Sequence, residues 1–118
     1  MDKNMKILIV DDFSAMRRII KNLLRDLGFT NTHEADDGNT ALPMLQGGNF
    51  DFLVSDWNMP GMQGIDLLRA VRSDDRLKGL PVLMVTGLDD IESLEHSYQS
   101  GATDFITKPV VWETLSHR

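Results

Sequence analysis

The sequence has no cysteine, and this absence excludes disulfides, thiolate nucleophiles and thiolate-bound metals together. Oxygen atoms are left as the main ligands for any metal ion. Positive charge is also scarce, because 12 Lys and Arg residues stand against 18 Asp and Glu residues and give a formal net charge of −6. Binding to a nucleic-acid backbone needs a basic surface, so we expect no direct nucleic-acid partner.

Long apolar runs are missing as well. A run such as Ile7 to Val10 is far shorter than the roughly 18 residues of a membrane span, and the N-terminus lacks the layout of a signal peptide. No repeat or linker rich in Pro, Gly or Ser interrupts the 118 residues, a length typical of one domain. We therefore expect a single domain over residues 1–118, located in the cytoplasm without membrane contact.

What the sequence does contain is an alternation of short apolar runs and segments with helical spacing. The apolar runs predict strands over residues 6–10, 52–55, 81–85 and 104–107, with a weaker strand over 32–35. Strand and helix alternating about five times indicate an α/β fold of three layers, in which helices cover both faces of a parallel sheet. In such sheets the ligand site lies beyond the carboxyl ends of the strands.

The helices are predicted from spacing and from their end signals. The first follows Ser14 as N-cap and ends at Gly28, with its apolar residues, Ile19 among them, on the sheet and Arg17 in water. Others begin at about residues 64 and 90. In the segment 39–46, Pro43 cannot donate a backbone hydrogen bond, so we expect this helix to begin late or to have a tightened first turn.

Polar residues stand at the carboxyl ends of four predicted strands: Asp11 and Asp12, Asp56, Thr86, and Lys108. Three neighbouring carboxylates repel one another and favour a bound cation, and Mg²⁺ suits them because it accepts carboxylates, water and phosphate oxygens. The Lys108 ammonium and the Thr86 hydroxyl can each donate to a phosphoryl oxygen. We therefore predict that Asp56 acts as nucleophile toward a phosphoryl group and becomes an aspartyl phosphate.

Four motifs, LIVDDFSAMRR, DWNMPGMQG, PVLMVTG and FITKP, resemble response-regulator receiver domains of two-component systems. The resemblance covers essentially the whole chain, and over residues 1–86 it is strongest to the chemotaxis receivers. It implies a flavodoxin-like (βα)5 fold with strand order 2-1-3-4-5. It also implies that a histidine kinase donates the phosphoryl group, and that the protein promotes only its own phosphorylation and dephosphorylation instead of acting as an enzyme on other substrates.

The resemblance also assigns roles to single residues. It implies that Asp56 is the phosphoacceptor, that Asp12, Asp56 and the Asn58 carbonyl hold Mg²⁺, and that Asp11 reaches the ion through water. Thr86 and Lys108 take the switch and phosphate-sensing roles, and the aromatic partner of the threonine is Phe105. The output implied is a changed binding face, with the flagellar motor switch as the downstream target.

Several positions depart from the chemotaxis receivers. Phe105 replaces a tyrosine and so lacks its hydroxyl, and Leu88 replaces a glutamate, for which we expect an altered lifetime of the phosphoryl group. Residues 87–118 look more like receivers of cyclic-dinucleotide output proteins, which leaves a chimera and a different output pathway open. Nine residues follow Pro109, so we expect a truncated last helix and self-association through the apolar face that it leaves uncovered.

Other interpretations remain open for these residues. Paired aspartates before a helix often serve only as caps, and Thr86 or Lys108 alone would be ordinary strand and surface residues. Aspartate-nucleophile phosphatases of the haloacid dehalogenase class also use a carboxylate and Mg²⁺, but they resemble D-x-D where this chain has Asp11-Asp12-Phe13. A flavodoxin-type cofactor module is disfavoured because the carboxylates would repel a flavin phosphate.

Overall fold

The computed structural model describes residues 3–56, 64–86 and 104–107. The elements are β1 (Ile7–Val10), α1 (Ser14–Asp26), β2 (Thr32–Ala35), α2 (Gly38–Gly48), β3 (Phe52–Asp56), α3 (Gly64–Ser73), β4 (Val82–Thr86) and β5 (Asp104–Thr107). The five strands form one parallel sheet in the order β2-β1-β3-β4-β5. The predicted α/β class and strand order are therefore confirmed. The helix expected from residue 90 and the truncated last helix lie outside the described residues.

The apolar core divides at the sheet, because β1 sends successive side chains to opposite faces. Leu8 and Val10 join a cluster with residues of α2 and α3, whereas Ile7 and Ile9 join a cluster with residues of α1. All four are at most 2% exposed. A strand that is buried on both faces has a continuous run of apolar residues, and this explains why the sequence predicted β1 so clearly.

No helix within the described ranges has the length and apolar character needed to cross a membrane.

Two expectations for α1 are wrong. Ser14 is the first helical residue and not the N-cap; Phe13 holds that position, without a capping side chain, and its carbonyl accepts from the N–H groups of Met16 and Arg17. The nearby acceptor side chain is Asp11, whose Oδ1 takes the N–H of Phe13 at 2.9 Å. Ile19, expected on the sheet, is 44% exposed because the neighbouring Ile20 occupies the buried stripe.

The end of α1 at Gly28 is confirmed. Gly28 has φ +99°, and its N–H donates to Arg25 O at 2.9 Å while the N–H of Phe29 donates to Leu24 O at 2.8 Å. This pair of bonds is the Schellman motif, which favours glycine at the left-handed position. The ammonium of Lys3 donates to the main-chain oxygen of Leu27 at 2.7 Å and adds a cation at the negative end of the helix.

Replacing Gly28 with Ala should lower the free energy of unfolding by about 1–2 kcal/mol, because a Cβ strains the left-handed backbone. The added Cβ would also lie 3.2 Å from Lys3 Cδ, a flexible atom that can move away. Gly47 is the matched control, since it lies within α2 and a Cβ there meets no atom within 4 Å. Gly47→Ala should raise the stability by about 0.5 kcal/mol. Urea titrations that gave the two variants the same change would contradict this explanation.

The expectation for α2 is also wrong, because the helix begins at Gly38 and contains Pro43 as its sixth residue. The carboxylate of Asp37 caps the helix by accepting the N–H of Thr40 at 2.7 Å. A capped first turn forms ahead of Pro43, and the proline cannot make the bond that an N–H at this position would have donated to Asn39 O. At the other end, the ammonium of Lys6 donates to Gly48 O at 2.6 Å.

The loop between α3 and β4 is held by two side chains. The Arg72 guanidinium donates from Nη1 to the main-chain oxygens of Lys78 at 3.0 Å and Leu80 at 2.6 Å. Asp74 accepts the backbone N–H of Arg76 at 2.9 Å, and this bond lowers the pKa of Asp74. A lowered folded-state pKa means that Asp74 contributes stability at neutral pH, which is lost as the pH falls through that pKa.

Candidate acidic site

Three carboxylates converge at the carboxyl edge of the sheet. Asp11 and Asp12 directly follow β1, and Asp56 is the last residue of β3, the strand paired with β1 in the register Val10↔Ser55. One carboxylate oxygen from each of the three lies within 4.8 Å of the others. The register therefore places Asp11 beside Asp56, as the convergence of parallel strand ends predicts.

The three carboxylates differ in their exposure. Asp11 is 1% exposed and Asp56 is 4% exposed, whereas Asp12 is exposed at the rim. Burying a carboxylate is costly unless it is paired, hydrogen-bonded or bound to a metal ion. Two of the three acids are therefore buried, and Asp12 is the one exposed to solvent.

The turn between β1 and α1 is held by main-chain and side-chain bonds. The N–H of Asp11 donates to Ala35 O of β2 at 3.2 Å, and its Oδ1 accepts the N–H of Phe13 at 2.9 Å. Arg17 donates from Nη1 to the main-chain oxygen of Asp11 at 2.6 Å and from Nε to Glu34 Oε1 at 3.0 Å. The backbone that carries Asp11 and Asp12 is therefore tied to helix α1 and to strand β2.

A third expectation for α1, that Arg17 faces water, is also wrong. The Arg17 side chain is only 18% exposed. Helical spacing contains the signal, because Arg17 stands three residues before Ile20 and seven before Leu24, the two buried residues of α1. A charged residue on the buried stripe needs a partner, and Glu34 supplies it.

The remaining predicted site residues are placed only in part. Thr86 ends β4 and pairs with Thr107 of β5, so its backbone lies at the same edge of the sheet as Asp56. Phe105 lies within β5, paired with Met84. Asn58, Lys108 and Leu88 lie outside the described residues, so their roles stay predictions.

The donor set fits a small hard cation. All three groups offer oxygen, the ligand that Mg²⁺ prefers, and the ligands on opposite sides of a Mg²⁺ ion are roughly 4 Å apart. An oxygen spacing within 4.8 Å is close to that value. Bound waters would complete the shell, since Mg²⁺ usually keeps several of them.

Known proteins resemble this chain over nearly its full length. Residues 7–118 match the model of the response regulator receiver domain. The chain is 68% identical over 114 residues to a chemotaxis protein CheY of Pseudomonas aeruginosa, which covers 97% of this chain and 92% of that protein.

Solved structures show the same fold. The structure of the chemotaxis response regulator CheY4 of Vibrio cholerae has a TM-score of 0.87 and 36% identity, and the match covers 97% of this chain and 94% of that one. The receiver domain of a sensor histidine kinase from P. aeruginosa, with a magnesium ion coordinated in its active-site cleft, has a TM-score of 0.86 and 24% identity, covering 97% and 93% of the two chains. These likenesses confirm the flavodoxin-like arrangement.

Proposed function

Because this chain belongs to the family of response regulator receiver domains, we propose that Asp56 accepts a phosphoryl group and that its phosphorylation changes the binding face of the protein. The observation that carries this proposal is the convergence of Asp11, Asp12 and Asp56 within 4.8 Å at the ends of two paired strands. The chain is a two-component response regulator and a phosphoacceptor, not a classical enzyme.

The proposed transfer needs little chemistry from the protein. A carboxylate oxygen of Asp56 attacks the phosphorus of a phosphohistidine, the P–N bond breaks, and its electron pair leaves on the imidazole nitrogen, which takes a proton from water. The product is an aspartyl phosphate on Asp56. Since the attacking oxygen is already ionised, no general base is required, and positioning and charge neutralisation dominate the rate.

The charge neutralisation is assigned to a metal ion and a lysine. Asp12, Asp56 and the Asn58 carbonyl would hold Mg²⁺, with Asp11 acting through water, and the ion would supply positive charge beside the phosphoryl oxygens. A related receiver fold with magnesium in its active-site cleft supports this choice of metal. Lys108 and Thr86 would bind further phosphoryl oxygens. Thr86 and Phe105 would couple the phosphorylation of Asp56 to the change in the binding face.

The proposed pathway is chemotaxis in the cytoplasm. We assign the phosphodonor as a histidine kinase and the downstream partner as the flagellar motor switch, supported by the names of the similar chemotaxis proteins. Residues 1–118 would act as one receiver domain. Its rates of self-phosphorylation and self-dephosphorylation would depend on Mg²⁺ and on Leu88.

The proposal is tested by intact-protein mass spectrometry after incubation with acetyl phosphate. In the presence of Mg²⁺ we expect one added phosphoryl group, lost again on treatment with hydroxylamine because acyl phosphates react with this nucleophile. In the presence of EDTA we expect no addition. A protein that stays unmodified with Mg²⁺, or is modified equally with EDTA, would contradict the proposal.

A further inference from the structure

Arg17 connects three parts of the structure through two donor groups. Its Nη1 lies 2.6 Å from the main-chain oxygen of Asp11, and its Nε lies 3.0 Å from Oε1 of Glu34 on β2. Arg17 itself is on α1, so the guanidinium spans the helix, the β1–α1 turn and the neighbouring strand. It borders an open groove of about 230 Å³ that Glu34, Ala35, Asp36 and Thr40 also line.

The hydrogen bond to the main-chain oxygen of Asp11 restrains both aspartates of the turn. This oxygen belongs to the planar peptide group that joins Asp11 to Asp12, so a bond that fixes the oxygen also fixes the orientation of this plane and the position of the Asp12 Cα. A hydrogen bond from a charged guanidinium is about twice as strong as one between neutral groups. Two further hydrogen bonds restrain the same turn: the Asp11 N–H donates to Ala35 O, and Asp11 Oδ1 accepts the N–H of Phe13.

Glu34 in turn holds the guanidinium. Its carboxylate accepts from Nε, lies 38% exposed, and is also 4.0 Å from the Lys21 ammonium. Glu34 pairs with Ile9 in the sheet, one residue before Ala35, whose carbonyl accepts the N–H of Asp11. Arginine suits this place because its planar fork donates in two directions at once, which a lysine ammonium on a flexible stem does poorly.

We propose that Arg17 is a positioning residue for the metal site: held by Glu34, it fixes the β1–α1 turn so that Asp11 and Asp12 are aligned for a divalent cation. This inference rests on the proposed function, since it assumes that the three aspartates bind Mg²⁺. The Arg17–Glu34 pair is neutral as a whole, so its effect on the metal is geometric and not a matter of net charge.

The test is the dissociation constant for Mg²⁺, measured by titration calorimetry on the unphosphorylated protein. Loss of a residue that orients metal ligands typically weakens metal binding about 10- to 100-fold, so we expect Arg17→Met to raise the dissociation constant about tenfold. Arg17→Lys keeps the charge but loses the bridge, and it should weaken binding several-fold. Arg18→Met and Arg18→Lys are the matched controls, because Arg18 is the adjacent and exposed arginine of α1. Both should stay within about twofold of the wild type.

The free energy of unfolding without Mg²⁺ separates positioning from plain stabilisation. Arg17 variants that lose stability but keep the wild-type dissociation constant would overturn the inference. If Arg17→Met does not fold, Glu34→Gln replaces it, and the dissociation constant for Mg²⁺ is again expected to rise. An unchanged constant in folded Glu34→Gln would likewise overturn the inference. Wild-type protein that bound no Mg²⁺ would overturn the proposed function as well, which distinguishes the two failures.

Discussion

Asp56→Asn is expected to take up no phosphoryl group from acetyl phosphate or from a phosphorylated histidine kinase, whereas the wild type becomes fully modified. The amide has almost the same shape as the carboxylate, so it should occupy the same buried place at the end of β3. Its oxygen carries no full negative charge and is a poor nucleophile toward phosphorus. The loss of phosphorylation therefore tests the role of Asp56 and not the folding of the strand.

Asp51→Asn is the control for this experiment. Asp51 is exposed, it precedes β3 at the opposite end of the strand, and its substitution causes the same change in net charge. Asn retains an oxygen that can accept the N–H of Lys6, the bond that Asp51 Oδ2 makes at 2.8 Å. The control should be phosphorylated like the wild type. Modification of Asp56→Asn to the same extent as Asp51→Asn would show that Asp56 is not the acceptor.

Asp11→Asn is expected to raise the free energy of unfolding in Mg²⁺-free buffer by about 1–3 kcal/mol. Two unit charges 4.8 Å apart repel by roughly 3 kcal/mol at an effective dielectric constant of 20, and the substitution removes one member of the cluster. The side-chain oxygen of Asn can still accept the N–H of Phe13, so the turn keeps this hydrogen bond. The gain in the free energy of unfolding thus measures the repulsion between Asp11 and the other two aspartates in the folded protein.

Added Mg²⁺ should offset most of this difference in stability between the two proteins. A ligand at one hundred times its dissociation constant stabilises the folded state by about 2.7 kcal/mol, and the wild type should show this gain while Asp11→Asn shows much less of it. Urea titrations with and without Mg²⁺ measure both effects. Asp26→Asn, a change at an exposed aspartate of α1, serves as the control and should respond to Mg²⁺ like the wild type. Equal stability of Asp11→Asn and wild type without metal would contradict the repulsion argument.

The sequence predicted β1, β3 and β4 well because nearly all of their described residues are buried. Every residue of β1 is apolar and buried, and such a run leaves few alternatives to a central parallel strand. β2 gave a weaker signal because two of its four residues, His33 and Glu34, are exposed at the edge of the sheet. The starts of α1 and α2 were predicted less well, whereas α3 begins at Gly64 as predicted. For α2 the capping bond of Asp37 decides the start, and at α1 the polar bond of the turn comes from Asp11 instead of Ser14.

The part of the candidate site that depends only on strand topology could be predicted from the sequence. Asp11, Asp12 and Asp56 follow directly from the rule that parallel strands end at one edge, because no side-chain detail is needed to bring them together. The Arg17–Glu34 pair is different, since it joins residues 17 positions apart through a contact between a helix and an edge strand. Local periodicity cannot show such a contact, although it does show that Arg17 lies on the buried stripe.

The lysines that close the helix ends bear on how this protein should be labelled for binding studies. Lys3 and Lys6 each place an ammonium on the last carbonyls of a helix and 4.6 Å from the centre of an aromatic ring, those of Phe29 and Phe50. A dye that acylates amines would remove the positive charges of Lys3 and Lys6 and place a bulky group at the C-terminal ends of α1 and α2. A thiol-directed dye avoids this damage, because the chain has no cysteine and one introduced at exposed Arg18 would be the single point of attachment.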